Sequence, residues 1–299
     1  KDIPKLKKLG IKILWIMPIH EIGIKNRKAK GDLSIDAITD TVQKKKYLGS
    51  PYSIKDYRSI NSNYGTKEDF QKLVKTAHEN GIYVILDWVA NHTSWDHAWV
   101  AQHPEYYTHD KNGKMIAPFD WTDVAELDYN NKNLRKAMLD DMKYWLTEFN
   151  IDGFRCDVAA EVPTDFWDNT TTELNKIKPV FMLMEAEKPE LMQKAFDMQY
   201  AWAMHHVMNE IAKGEKNVKS FDDLLKKNDS VYQKDDIYMN FTSNHDENSW
   251  NGTEYERMGD AAETFAALTF ALPGMPLVYN GQEYDLNKRL KFFEKDTIP

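Results

Sequence analysis

Short apolar runs recur along this chain, and each closes on polar residues before a helical pattern begins. Ile11–Ile19 (IKILWIMPI) and Ile82–Leu86 are nearly continuous hydrophobic stretches, as expected of strands buried on both faces. Between them Thr66 and Asp69 form a capping box. Phe70, Leu73, Val74 and Ala77 follow at i, i+3, i+4 and i+7, and Gly81 ends that helix. Lys1–Leu9 reads as a basic amphipathic helix. Leu134, Met138, Met142, Trp145 and Phe149 mark another, which leads into Gly153–Val158 (GFRCDV). Further helices are expected at about 164–177 and at Ala261–Ala271. Strands at 11–17, 82–87, 153–157, 180–185, 196–199, 237–242 and 276–280 bring the count to about seven. Strands alternating with helices imply βαβ units and a parallel sheet.

Two segments break the alternation. Glu21–Asn63 is long, polar and too irregular for a packed element, and loops of that length are usually functional. Residues 93–130 have no clear period but carry Trp95, Trp99 and Trp121, and read as a small excursion between a strand and a helix. The expected organisation is therefore a catalytic α/β barrel from 1–92 and 131–299, with 93–130 as an inserted domain. A (β/α)8 TIM barrel whose first strand is absent from the chain fits better than a doubly wound sheet, because chemistry-bearing residues follow so many different strands.

Those residues are specific. Asp87, Asn91 and His92 follow the second counted strand, Arg155 and Asp157 lie on the third, Glu185 ends the fourth, and Asn244-His245-Asp246 follows the sixth. In a parallel barrel these ends converge on one face. Arg155 and Asp157, two apart on a strand, project to the same side, where the guanidinium keeps the carboxylate ionised and aimed. Taken singly, an R-x-D pair is more often a structural ion pair, and Asn-His-Asp more often a turn. Together they supply carboxyl groups able to differ in protonation, the equipment for cleaving a glycosidic bond.

Composition removes other classes. With 39 Lys and Arg against 47 Asp and Glu, the net charge of −8 argues against nucleic acid or an anionic membrane as partner. Cys156 is the single cysteine, so neither a disulfide framework nor a thiolate metal site exists. His20-Glu21 lacks the second histidine of a zinc helix. The most apolar run, Phe265–Leu272, is broken by Pro273, Gly274 and Pro276, so no membrane span is expected. Lys1 opens inside a helical pattern, so the absence of a signal peptide carries little weight.

The chain resembles the α-amylase family of glycoside hydrolases, family 13. Four motifs occur in the family's order: DWVANH (87–92), GFRCDVAAE (153–161), FMLMEAE (181–187) and FTSNHDE (241–247). LWIMPI (14–19), LGSPYSIKDY (48–57), AELDYNN (125–131) and PGMPLVYNGQE (273–283) support them. The resemblance implies that Asp157 is a nucleophile forming a covalent glycosyl-enzyme and Glu185 the general acid and base. It implies that Asp246 holds ring hydroxyls of the sugar, helped by His245 and His92, that Arg155 orients Asp157, and that Tyr52 stacks under the ring. Asp87 joins the substrate-binding set. The implied substrate is an α-1,4-glucan, starch or a maltooligosaccharide. Transglycosylation, α-glucosidase action and an inactive scaffold are the alternatives. Action on starch implies export, because the polymer does not cross membranes.

No cofactor is needed for this chemistry. Relatives bind calcium between excursion and barrel, using the asparagine matched by Asn91; here Ala160 and Glu161 stand where they often carry a histidine, and no ligand set is assigned. The chain is expected to begin after the family's first strand, to stop before the last helix and C-terminal β-domain, and to carry an insertion, Ala29–Tyr47, on the substrate side.

Overall fold

The computed structural model describes residues 2–30 and 33–298. Seven parallel strands form one sheet in chain order: β1 Ile13–Ile16, β2 Tyr83–Trp88, β3 Gly153–Cys156, β4 Phe181–Met184, β5 Met198–Tyr200, β6 Ile237–Asn240 and β7 Met275–Pro276. This succession of neighbouring parallel staves, with helices between them, is the order found in an α/β barrel. All seven expected strands are present, each within a few residues of its sequence position.

Alternation along the strands sorts side chains into two cores. Inward-facing Ile85, Leu183, Met198, Tyr200, Met239 and Phe241 pack together with Ile13, Trp15 and Phe181 against them. The register sets these in layers, pairing Trp15 with Ile85, Ile85 with Gly153 and Gly153 with Phe181. Outward-facing Val84, Leu86, Trp88, Phe154, Met182 and Met184 meet the helices in a second core. This is why the strands read as continuous apolar runs.

Helix α1 (Ile3–Lys8), α2 (Lys67–Glu79), α3 (Lys132–Phe149) and α4 (Thr164–Asn175) cover the first half of the sheet. The Thr66–Asp69 capping box is present at the start of α2. Met138, Met142, Trp145 and Phe149 of α3 are all buried, each contributing roughly 1.5–3 kcal/mol of hydrophobic stabilisation. Beyond β5 two helices that the sequence reading did not place, α5 (Trp202–Ala212) and α6 (Lys219–Val231), cover the second half together with α7 (Ala262–Ala271).

The stretch 21–63 departs from expectation. Glu21–Ile22 and Ile54–Asp56 form an antiparallel pair, and Ile54 and Tyr57 are buried. The Tyr57 hydroxyl points at the carbonyls of Val89 (2.6 Å) and His92 (3.2 Å), tying this segment to the end of β2. The reason is that two- and three-residue strands across a long loop carry no period, so packing shows only once the fold is formed. Within the insertion 29–47, residues 31 and 32 lie outside the described residues, and much of the remainder is exposed. In the excursion, His92–Ser94 pairs antiparallel with Val124–Glu126, so residue 92 already belongs to its base.

Gly153 lies opposite Phe181, its register partner on β4. Its φ is +153°, and a Cβ there would run into the backbone of Phe181. A carbonyl inside a ladder cannot move aside. Gly153→Ala is therefore expected to lose at least about 3 kcal/mol, measured as a lower urea midpoint, or to leave no folded protein. An unchanged midpoint would show that β3 and β4 can separate here.

Candidate active site

Arg155 leaves β3 pointing into the barrel and is fully buried, with 0% exposure. Its Nη1 donates to Asp157 Oδ1 (2.7 Å) and Asp87 Oδ1 (3.1 Å), and its Nη2 lies 3.0 Å from Glu185 Oε1. Nε and Nη2 also donate to the Tyr200 hydroxyl, at 3.1 and 3.0 Å. The guanidinium carbon lies 5.0 Å from the ring centre of Trp15 and 5.5 Å from that of Tyr200. One cation thus gathers carboxyl groups from the ends of β2, β3 and β4.

The fourth carboxyl arrives through histidine. His245 Nε2 is 3.2 Å from Asp246 Oδ2 and 2.6 Å from the Tyr52 hydroxyl. That hydroxyl is 3.1 Å from Asp87 Oδ2, which also accepts from Trp15 Nε1 (3.1 Å). Tyr52 has one proton and a carboxylate can only accept, so the hydroxyl donates to Asp87 and His245 Nε2 carries the hydrogen it donates to Tyr52. Burial, and the charge of Arg155, push the His245 pKa far below its usual value, so the ring is neutral.

Glu185 is held by the backbone. Its Oε2 accepts from the amide of Val158 at 2.8 Å. Val158 adopts φ +37° and ψ +47°, a left-handed conformation that costs a β-branched residue on the order of 1–3 kcal/mol. The strain turns the amide after Asp157 toward Glu185.

Three carboxyl groups share one guanidinium with Asp246 close by, and their proton affinities rise. Burial pushes Asp157 and Asp87 up while Arg155 pulls each down. Glu185 is raised to about 7, first by burial and, against Arg155, by the negative charge of Asp157. Asp246 is raised to about 7 by burial and by Glu185. At neutral pH the cluster therefore keeps protons as well as charge, and can offer a carboxylic acid beside a carboxylate.

Each sequence candidate has a definite place. Arg155 brings Asp157, Glu185 and Asp87 together, and Tyr52 and His245 link Asp246 to them. Asp87, on β2, is fully buried beside Arg155, its register partner on β3, and exposes no surface to a ligand. The Tyr52 ring lies near-parallel to His245 (5.6 Å, 21°) and to Phe292 (6.2 Å, 13°). His92 is neutral through burial, against a hydrogen bond to the backbone of Tyr52, and its ring is edge-on to Trp121 at 5.4 Å. Trp15, Tyr200 and Phe292 were not singled out from the sequence. The inward period-two position of Trp15 and Tyr200 was the available signal, hidden at Trp15 because both strand faces are apolar and at Tyr200 because its strand has only three residues.

Residues 1–123 and 105–297 match the family model described as alpha amylase, catalytic domain. The chain belongs to the α-amylase catalytic-domain family. Among α-amylase relatives, the α-amylase MalA of Haloarcula japonica is 27% identical over 84% of this chain and 39% of its own length. An α-1,4-glucan:maltose-1-phosphate maltosyltransferase of Picrophilus torridus is 31% identical over 68% of this chain and 33% of its own. Two crystal structures superpose with a TM-score of 0.87 at 36% identity. One is a maltogenic α-amylase, AmyB, of Thermotoga neapolitana, matched over 100% of this chain and 66% of that one. The other is an α-amylase of Lactobacillus plantarum, matched over 99% and 69%. The chain thus spans about a third to two fifths of these two curated relatives.

For calcium, a polar hollow of about 540 Å³ lies between excursion and barrel, lined by Asn91, Glu126, Asp128, Asn130 and Glu161 among others. Among the described residues, no three His, Cys, Asp or Glu side chains converge there or elsewhere to hold a metal ion. The Asn91 amide is itself 3.3 Å from His92 Nδ1.

The raised proton affinity of Glu185 has a stability consequence. Its folded pKa, about 7, exceeds its usual 4.5, so the site stabilises the protonated form and that contribution is lost as pH rises through 7. Glu185→Gln does not titrate. It is expected to raise stability by about 2 kcal/mol at pH 8 relative to its effect at pH 4, read as a higher Tm. A Tm difference independent of pH would mean Glu185 is ordinary.

Proposed function

We propose that this chain carries the catalytic centre of a retaining glycoside hydrolase that cleaves α-1,4-glucosidic bonds of starch or maltooligosaccharides. The observation that carries the reading is the single buried guanidinium touching both Asp157 and Glu185, which holds two carboxyl groups together at different proton affinities.

In this reading Asp157, held by Arg155 Nη1, attacks the anomeric carbon, and the sugar–oxygen bond breaks as Glu185 gives its proton to the leaving oxygen. A covalent glycosyl-enzyme results. Water then attacks the same carbon, Glu185 takes back a proton, and Asp157 leaves as carboxylate. Carboxyl groups about 5–5.5 Å apart perform this double displacement, whereas a wider spacing of roughly 6.5–9.5 Å admits a water for inversion. Asp246 and His245 hold sugar hydroxyls. Burial and the charge of Asp157 keep Glu185 protonated between turnovers.

A second reading, transfer to a sugar acceptor in place of water, draws on the maltosyltransferase relative. Incubation with maltoheptaose, followed by chromatography and anomeric proton NMR, separates the two. Hydrolysis with retention gives short maltooligosaccharides that appear first as α-anomers, and Asp157→Asn lowers the rate by at least about 1,000-fold. Products longer than the substrate would establish transfer. Bound but intact maltoheptaose would defeat both.

The same cluster predicts a bell-shaped pH profile. Activity rises with pH as Asp157 ionises, through a pKa that burial places above the usual aspartate value, and falls above about 7 as Glu185 loses its proton. The profile of kcat/KM checks this, and an optimum above pH 8 would exclude Glu185 as the acid.

A further inference from the structure

His245 and Asp246 are delivered by the segment Thr242–Gly252, and Asp246 has little holding it directly. Its carboxyl is 33% exposed and lies 3.2 Å from Nε2 of the neutral His245 ring. Where it stands depends on the backbone beneath it. Asn244 Oδ1 accepts from the amides of Asp246 (3.0 Å) and Glu247 (2.8 Å), and a π-helical turn over Glu247–Asn251 follows. Such turns are rare and cluster at functional sites.

A buried polar cluster grips this segment from behind. Arg257, on the short helix Glu254–Met258, donates Nη2 to the Thr242 carbonyl (2.6 Å) and Nε to the Gly252 carbonyl (3.0 Å). One side chain thereby fixes both ends. Its Nη1 donates to Asn209 Oδ1 at 2.9 Å. Glu247, immediately after Asp246, points the same way. Its Oε2 is 3.2 Å from His205 Nε2 and 3.9 Å from Arg257 Nε, and its Oε1 accepts from Asn251 Nδ2 at 3.1 Å. His205 on α5 stacks on Phe241 at 4.7 Å with its Nδ1 3.3 Å from the Phe241 carbonyl. Asn209 Nδ2 lies 3.1 Å from His205 Nε2 and donates to the His205 carbonyl at 2.8 Å.

We propose that Arg257, Glu247 and His205 are positioning residues that set where Asp246 and His245 stand relative to Arg155 and Asp157. The inference rests on the reading of Asp246 as a substrate-holding carboxylate. Apolar packing could support α5 and the short helix as well as this cluster does, and buried ion pairs seldom add net stability. What they add is direction: a planar fork bonded to two carbonyls fixes the angle between the ends of a turn, as a hydrophobic contact cannot.

The test is a double-mutant cycle. Wild type, Asp246→Asn, Glu247→Gln and the double variant are titrated by calorimetry with maltoheptaose whose glycosidic oxygens are replaced by sulfur, so that it is bound without being cleaved. Glu247→Gln should weaken binding about tenfold in the wild-type background and less than about twofold once Asp246 is Asn. Equal losses in both backgrounds overturn the proposal. Arg257→Lys, which keeps the charge and loses the fork, runs through the same cycle if Glu247→Gln does not fold. A second readout needs no ligand: the His245 ring nitrogen signals should move in Glu247→Gln and Arg257→Lys while those of exposed His103 stay. Unmoved His245 signals in folded variants overturn the proposal. Failure of wild type to bind maltoheptaose counts instead against the functional reading and leaves this second readout standing.

Discussion

A guanidinium with no access to water is the constraint on which the rest of this structure depends. Arg155 cannot deprotonate at any ordinary pH, and an unpaired charge inside a barrel would cost several kcal/mol or more. It must be surrounded by acceptors. Asp87 supplies one from the strand before, Asp157 from just past the end of its own, Glu185 from the end of the next, and the Tyr200 hydroxyl fills the remaining edge. The planar fork dictates where each can stand. The convergence of strand ends on one face is a property of the barrel, but the orientation of the carboxyl groups within it comes from this one side chain.

The same constraint makes the site expensive. Three carboxyl groups around one cation, with Asp246 close by, exceed what the guanidinium can neutralise. Protons fill the deficit and Glu185 becomes an acid with a pKa of about 7. The left-handed Val158 adds backbone strain at the same point, and the surrounding ladders of β2, β3 and β4 hold it in place. Reactivity and local instability here have one cause, since the crowding that raises Glu185 is also what the folded chain must withstand.

Much of this arrangement was legible in the residues. The strand runs are long enough, and the capping box and i, i+3, i+4 spacing of α2 regular enough, to place seven staves and their main helices. The R-x-D spacing placed Arg155 beside Asp157, because a strand has period two. Other parts had no local signal. Trp15 lies in a run where every neighbour is apolar, so alternation could not mark it as inward, and the strand of Tyr200 has three residues, too few for alternation to show. The pair Glu21–Ile22 with Ile54–Asp56 is too short for periodicity, and the bond from Tyr57 to the end of β2 joins segments far apart in the chain. Asp87 reads as a strand-end carboxylate, and only the register shows it buried beside Arg155 on the neighbouring strand.

The surroundings of Tyr52 carry the point furthest. Its ring lies near-parallel to His245 from the segment after β6 and to Phe292 from beyond β7, and its hydroxyl joins His245 to Asp87. Leu48 and Gly49, just before it, both donate their amides to the Phe293 carbonyl, at 2.8 and 3.3 Å. Asn248, two residues past Asp246, bonds the Lys288 carbonyl and the Leu290 amide, at 3.0 and 2.8 Å. Loops that share no sequence neighbourhood are thus bonded into one rim, and Asp246, Tyr52 and Phe292 cannot shift independently. A site of this kind is specified by contacts between distant segments that have no period of their own. A motif can therefore name its residues, while their mutual placement depends on the rim closing as a unit.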